Sequence, residues 1–359
     1  GSSQTSIQNS VMAIPSGAGT TSLQTALSNI TALDSFGRDF TGSVAGLVVK
    51  PEERQSDWMR RRVGLNAAGG RAEFNYAGFS GSFGYANYQV TPEARQTVAT
   101  SGKISYSFGK STVTAGWNAQ DSLQSDIMGL APFSDGILAY APQAGNSIGY
   151  DYQVADGKLG FTLSSGKAYG TSAQAVSVRF ANRNTDVRAS FIDEDGSLMG
   201  VPTGAGALRL GNGATTAMIE AHHRFGDTLG WALEAYGSLG MTRLKIDKAS
   251  LITGSDLLIA SRLGIQASGP AFGGTLSFGV AQPLNVERGS VDITHGSGYD
   301  PASRSLLYTT SRASLAGQRR LQLTTGYATG GYRSSFRIGV MQDVTDGSTS
   351  ALAGWSLRF

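Results

Sequence analysis

The chain has 359 residues, with 49 Gly against only 9 Pro, and it is 40% hydrophobic but just 15% charged, where ordinary soluble domains run at roughly 25% charged. It has no Cys, which excludes disulfide staples, thiolate zinc sites and cysteine catalysis and fits an oxidising cell envelope. The net charge of +3 is too weak for a dedicated nucleic-acid binder, so no nucleic acid is expected among its partners.

Residues 1–19 are rich in Ser, Thr, Gly and Gln and form an expected flexible lead-in. They show no charged start followed by an apolar core, so no signal peptide is expected within them. Over residues 20–37 the period changes. Thr21-Ser-Leu-Gln24 has the capping-box pattern. Leu23, Ala26, Leu27, Ile30, Leu33 and Phe36 follow at helical spacing, and Gly37 supplies a stop. The spacing predicts one helix over residues 21–36, roughly 22 Å long at the usual rise.

From Arg71 onward nearly every segment alternates. Ile104, Tyr106 and Phe108 oppose Ser105 and Ser107; Val176, Val178 and Phe180 oppose Ser177 and Arg179; Phe336, Ile338 and Val340 oppose Ser335 and Arg337. Period two means strands. They are about ten residues long, the length of a tilted membrane strand. Short connections alternate with long ones near residues 119–147, 194–214, 245–255 and 283–318. No stretch approaches the roughly 18 apolar residues of a membrane helix. Together these features predict an all-β protein, an antiparallel transmembrane β-barrel of 12–16 strands over residues 38–359, in a Gram-negative outer membrane.

Val113, Trp117, Trp231, Ile265, Phe278 and Ile338 are expected to face lipid. Arg179, Arg188, Arg224, Arg262, Arg320, Arg333 and Arg337 are expected in the lumen, against Glu220, Glu234 and Asp151. They would bridge polar groups of the helix or line an anion-preferring pore. The helix is placed inside the pore as a plug, because the lack of Lys and Arg between Thr20 and Gly37 disfavours a site on anionic lipid. The chain ends on an alternating apolar face, with Ala351, Ala353, Trp355, Leu357 and Phe359. Trp355, Leu357 and Phe359 are expected to act as the assembly signal read by the barrel-insertion machinery.

No catalytic set emerges. Gly170-Thr-Ser-Ala is a fragment of a subtilisin-like serine turn without its Met and Pro, and His295 lies downstream rather than upstream of it. Glu220 and His222 share the lumen face of one strand near Glu234, where a salt-bridge or hydrogen-bond network is expected in preference to an acid/base site. Asp193-Glu-Asp195-Gly196 begins like a calcium loop but lacks the later Glu, and is expected to be an exposed acidic loop. Gly211-Asn-Gly213 has no following Lys-Ser/Thr for a phosphate loop. Neither a metal nor a cofactor is expected.

Ala32-Leu-Asp-Ser-Phe-Gly-Arg-Asp-Phe40 resembles the junction between passenger and barrel in subtilisin-like serine protease autotransporters. The architecture over about residues 20–359 resembles the translocator domain of type V autotransporters. The resemblance implies twelve strands and a pore helix carrying Leu23, Leu27, Ile30, Leu33 and Phe36. It also implies secretion and anchoring of an N-terminal passenger, to which any protease activity would belong. The implied partners are outer-membrane lipid, the insertion machinery, periplasmic chaperones and the chain's own passenger, with the barrel a monomer. The alternative is an outer-membrane porin or diffusion channel, which more often begins on a strand and narrows its pore with an inward-folded loop. An outer-membrane enzyme is disfavoured by the lack of a catalytic set.

Overall fold

In a computed structural model the alternating segments pair into one antiparallel meander. The structure describes residues 9–34, 36–50, 68–89, 95–117, 136–228, 230–330 and 334–357. The N-terminal part contains β1 (Val11–Ala13), α1 (Thr21–Ala26), β2 (Ile30–Leu33), β3 (Asp39–Gly42) and β4 (Val48–Val49). Then come β5 (Ala68–Tyr76), β6 (Phe79–Gln89), β7 (Arg95–Phe108), β8 (Ser111–Trp117), α2 (Gly136–Tyr140), β9 (Asn146–Val154), β10 (Gly157–Ala168), β11 (Thr171–Asn182) and β12 (Thr185–Asp195). Short β13 (Ser197–Leu198), β14 (Val201–Pro202) and β15 (Gly204–Ala205) precede β16 (Gly213–Thr228) and β17 (Trp231–Lys245). The chain closes with β18 (Ile252–Ser255), β19 (Leu258–Ala271), β20 (Gly274–Arg288), β21 (Ser290–Asp300), β22 (Ser305–Ser314), β23 (Gln322–Gly330), β24 (Ser334–Asp343) and β25 (Thr349–Leu357).

Among the described residues the main sheet has 15 strands, in the order β5 to β12, β16, β17, β19, β20, β23, β24, β25. That lies within the 12–16 expected from alternation and differs from the twelve implied by the resemblance. Fourteen antiparallel steps leave β5 and β25 running the same way, and among the described residues they are not paired with each other.

Connections at one end are tight. Phe272 and Gly273 between β19 and β20 both have positive φ, 51° and 72°, the backbone of a two-residue hairpin turn that matches strand twist. Residues 136–145 and the connections of residues 196–212, 246–257 and 289–321 all lie at the other end.

Register sorts the two faces. One row runs Phe79, Tyr106, Val113, Tyr150, Phe161, Val178, Ala189, Ile219, Leu239 across nine strands, and every large side chain in it is exposed. The neighbouring row, on the opposite face, runs Ser105, Thr114, Gly149, Thr162, Ser177, Ser190. A sandwich would bury the apolar row; this sheet turns it outward. Of the positions expected to face lipid, Val113, Ile265, Phe278 and Ile338 are exposed, while Trp117 and Trp231 share that face half-buried.

The buried core sits at the long-loop end. Met12, Ile14, Leu23, Leu27, Ile30 and Val48 pack with Leu198, Leu208, Leu210, Ile252, Val291, Ile293 and Leu315 from the loops. Beneath them lie Ala173, Ala175, Ile192, Ala214, Leu244 and Ala260, the inner-face positions where β11, β12, β16, β17 and β19 approach the rim. β1 pairs antiparallel with β15 and parallel with β4. Gly17 threads between strand ends: Val286 N–H donates to its carbonyl at 2.9 Å, and a Cβ there would lie 2.2 Å from the Leu284 oxygen.

The helix expected over residues 21–36 is corrected. α1 has six residues, and residues 30–33 are extended and paired with β3, from Ile30↔Gly42 to Leu33↔Asp39. Helical continuation loses on three counts. Thr20 makes no side-chain cap. Ile30 and Thr31 are β-branched and favour a strand. Asp34 Oδ1 accepts from the N–H groups of Phe36 and Arg38, both at 2.9 Å, folding the chain into an Asx turn. α1 packs on β22, in the long connection between β20 and β23, and not as a plug along the lumen wall.

Candidate functional site

The inner face carries a belt of charge. A single row joins Asp151, Gly160, Arg179, Arg188, Glu220, Ser238 and Arg262 from β9 to β19. Arg179 Nε donates to both Asp186 carboxylate oxygens, at 2.8 and 2.9 Å. Arg188 lies 3.5 Å from Glu220. Nearer the tight turns, Glu234 sits 3.7 Å from His222 and 3.9 Å from Arg224. The Arg262 guanidinium stacks 4.9 Å above the Tyr236 ring, a cation–π contact. That ring in turn occupies the room left by Gly264, where a Cβ would meet Tyr236 Cε1 at 2.3 Å.

The structure therefore brings Arg179, Arg188, Glu220, Arg224, Glu234 and Arg262 onto one wall. Arg320 departs from expectation: it precedes β23, at the long-loop end, and pairs with Asp343 at 2.9 Å and with Asp346 in the β24–β25 turn. Arg337 is on β24 between Ala328 and Gly354; Arg333 and Phe359 lie outside the described residues. Leu23, Leu27 and Ile30 are buried in the rim core, Leu33 is half-buried, and Phe36 is 82% exposed. Trp355 is 71% exposed on β25, opposite Phe336, and Leu357 pairs with Ser334 at the end of that strand.

Sequence reasoning missed the loop that crosses this wall. α2, in the connection before β9, lies on the inner face. Tyr140 Oη donates to the Ala260 carbonyl at 3.1 Å, although β9 and β19 are six strands apart in the sheet. A flat sheet would separate those strands by about 29 Å, while six residues of chain span about 20 Å at most. The polar face is accordingly concave. Burial pushes the Tyr140 phenol up to about 12, against a hydrogen bond with Ser238. Pro142 and Gln143 follow into two further notches: a Cβ at Gly200 would lie 2.2 Å from Pro142 Cδ, and one at Gly166 1.7 Å from the Gln143 oxygen. Gly166 on the inner face of β10 and Gly200 in the rim turn were the available signal.

The acidic run 193–195 is also corrected. It ends β12 rather than forming a loop, and strand parity turns Glu194 inward to 1% exposure. Its carboxylate accepts from Ser197 Oγ (2.8 Å), Met199 N (2.8 Å), Gly200 N (2.7 Å) and Gln143 Nε2 (3.4 Å). These donors substitute for water, so the charge anchors the rim turn and the inward loop together.

The remaining motifs are structural. Thr171 Oγ1 closes the β10–β11 turn on the Ala168 carbonyl at 2.7 Å. His295 is buried on β21 with Nδ1 2.9 Å from the Gly296 oxygen. Among the described residues no cluster of His, Asp or Glu could hold a metal ion, and no helix is long and apolar enough to cross a membrane.

The fold is all-β, an up-and-down meander with its apolar face outward and a charged, concave inner face. No family model matches the chain and no curated protein matches it. Among solved structures it is similar to a triple mutant of the Rhodopseudomonas blastica porin, at 11% identity and TM-score 0.36 over 80% of this chain and 88% of that one. It is also similar to OmpT, an outer membrane protein of Vibrio cholerae, at 10% identity and TM-score 0.40 over 76% and 83%.

Proposed function

We propose that the chain is an outer-membrane β-barrel that spans the bilayer with its meander and acts as the translocator and anchor of an N-terminal passenger. Its apolar outer rows support the membrane reading, because soluble monomers rarely expose contiguous apolar patches beyond a few hundred Å². One observation carries the translocator reading: residues 9–50 are built into the long-loop end, with β1 held between β15 and β4. Long loops lie on the cell exterior in such barrels, so polypeptide joined upstream of residue 9 would be delivered there. The junction-like segment 32–40 forms the β2–β3 hairpin at the same rim. The test is to place a signal peptide and an epitope-tagged passenger upstream and treat intact cells with protease. Loss of the tag with the barrel intact is expected; a tag protected until the outer membrane is broken overturns the proposal.

The inward loop favours a second reading, a channel narrowed by α2 over the charged belt. Planar-bilayer conductance separates the two. The translocator reading expects small, flickering currents from a capped barrel, and large steady currents from the intact chain would favour the channel.

A further inference from the structure

Beneath α2 lies a cavity of about 200 Å³. Its floor is the inner face of β7 to β12 and its roof is Ile137, Leu138 and Ala144. Four charged side chains face it: Lys103, Asp151, Arg179 and Arg188. The two arginines are engaged, with Asp186 and Glu220. Lys103 and Asp151 are different: among the described residues neither side chain has a hydrogen bond or ion pair. The two engaged pairs cancel, so the charge left to a ligand is one ammonium and one carboxylate.

Register places these two charges. Lys103 is level with Gly116 and Ser147, and Asp151 is four residues further along β9. Two strands across and four residues along separates their backbones by about 16 Å. The adjacent charges of a single α-amino acid bridge that separation poorly. We infer that the cavity binds a small zwitterion with separated charges, such as a short peptide or an ω-amino acid, its carboxylate at Lys103, its ammonium at Asp151 and its aliphatic body under Ile137 and Leu138. The inference needs the polar face to enclose its cavity and is independent of whether a passenger is exported.

The probe is 6-aminohexanoate, titrated into the full chain folded in detergent and followed by saturation-transfer NMR and calorimetry; a zwitterion partitions little into micelles. Saturable binding is expected, with hexanoate and hexylamine each about tenfold weaker, the loss of one charge-assisted contact. Lys103→Gln and Asp151→Asn should each weaken 6-aminohexanoate by a similar factor, and Lys103→Gln should leave hexylamine unchanged. Retained heat-modifiable migration in gels reports that each variant is folded. Ser147→Leu, which fills the floor without changing charge, should also weaken binding and serves if either charge variant fails to fold. No saturable binding, or equal binding of hexanoate and 6-aminohexanoate, overturns the site. Either result leaves the surface-display experiment unaffected, so the two proposals fail separately.

Discussion

Tyr140 fills the space of a side chain that Gly240 does not have: a Cβ at position 240 would lie 2.5 Å from Tyr140 Cε1. The contact ties a residue of the loop before β9 to β17, on the far side of the concave face. Gly240→Val should therefore expel the ring and cost about 1–3 kcal/mol through overpacking. Tyr140→Ala alone should cost about 3–5 kcal/mol, as for other large buried aromatics. The double variant should cost less than the sum, since the two changes share one space. Thermal unfolding followed by heat-modifiable migration measures all three, and strict additivity would place the loop elsewhere.

The outward row makes a second prediction. Phe161 and Val178 are register partners on β10 and β11 and lie near the middle of their strands. Phe161→Arg should cost about 2–4 kcal/mol in a bilayer, the penalty for Arg at the midplane of a barrel's lipid face. Thr162→Arg, one residue on and facing the lumen, should cost far less. Urea unfolding in lipid vesicles compares them, and equal costs would mean that the outer row does not face lipid.

Why alternation was legible and the rim was not follows from what each pattern constrains. A lumen that is wet and a surroundings that is apolar both act at period two, so Ile265, Phe278 and Ile338 declared their face directly. Leu23, Leu27 and Ile30 recur at helical spacing, but they are also the residues a short helix, turn and strand would bury against one rim, and spacing alone does not separate these outcomes. Asp34 decided it through hydrogen bonds to Phe36 and Arg38 that no periodicity records. Glu194 looked solvated because it is charged. Strand parity put it on the same face as Ile192, and donors from a turn supplied what water would have. The inward loop was hidden for another reason: Gly166 and Gly240, which receive it, are distant in sequence from Gln143 and Tyr140.

Acid should loosen the loop end. A backbone hydrogen bond from Ala249 and the Arg209 guanidinium hold the Asp247 carboxyl below its usual range. Ser290 and Arg312 do the same for Asp256. A carboxylate with a depressed folded-state pKa contributes stability that is present above its unfolded value and is lost as pH falls through the folded one. The loss should thus appear below about pH 4. Amide protection in residues 246–257, each exchange rate taken relative to the intrinsic rate at the same pH, should fall on acidification in the parent chain and change little in the Asp247→Asn, Asp256→Asn variant. An acid response that survives both substitutions would assign it to other groups.

The corrected N-terminal segment gives the last prediction. In a pore helix over residues 21–36, Leu27 and Phe36 would lie on opposite sides of the helix, each facing the lumen wall that surrounds a plug, and truncating either would remove packing. In the structure they part company. Leu27 is fully buried among the rim residues, whereas Phe36 stands 82% exposed beyond the Asp34 turn, with the Arg38 guanidinium 5.4 Å from its ring. Leu27→Ala opens a cavity where β1, α1 and the loops meet and should cost about 2–5 kcal/mol. Phe36→Ala removes a side chain already in solvent and should stay within about 0.5 kcal/mol of the parent. The readout is protease resistance of residues 9–50 in the folded chain, since that segment detaches before the sheet if its packing is local. Leu27→Ala should release it while β10 to β20 stay intact, and Phe36→Ala should not. Comparable losses from both truncations would restore the continuous helix, because only a plug enclosed on all sides by the lumen wall makes these two side chains equivalent.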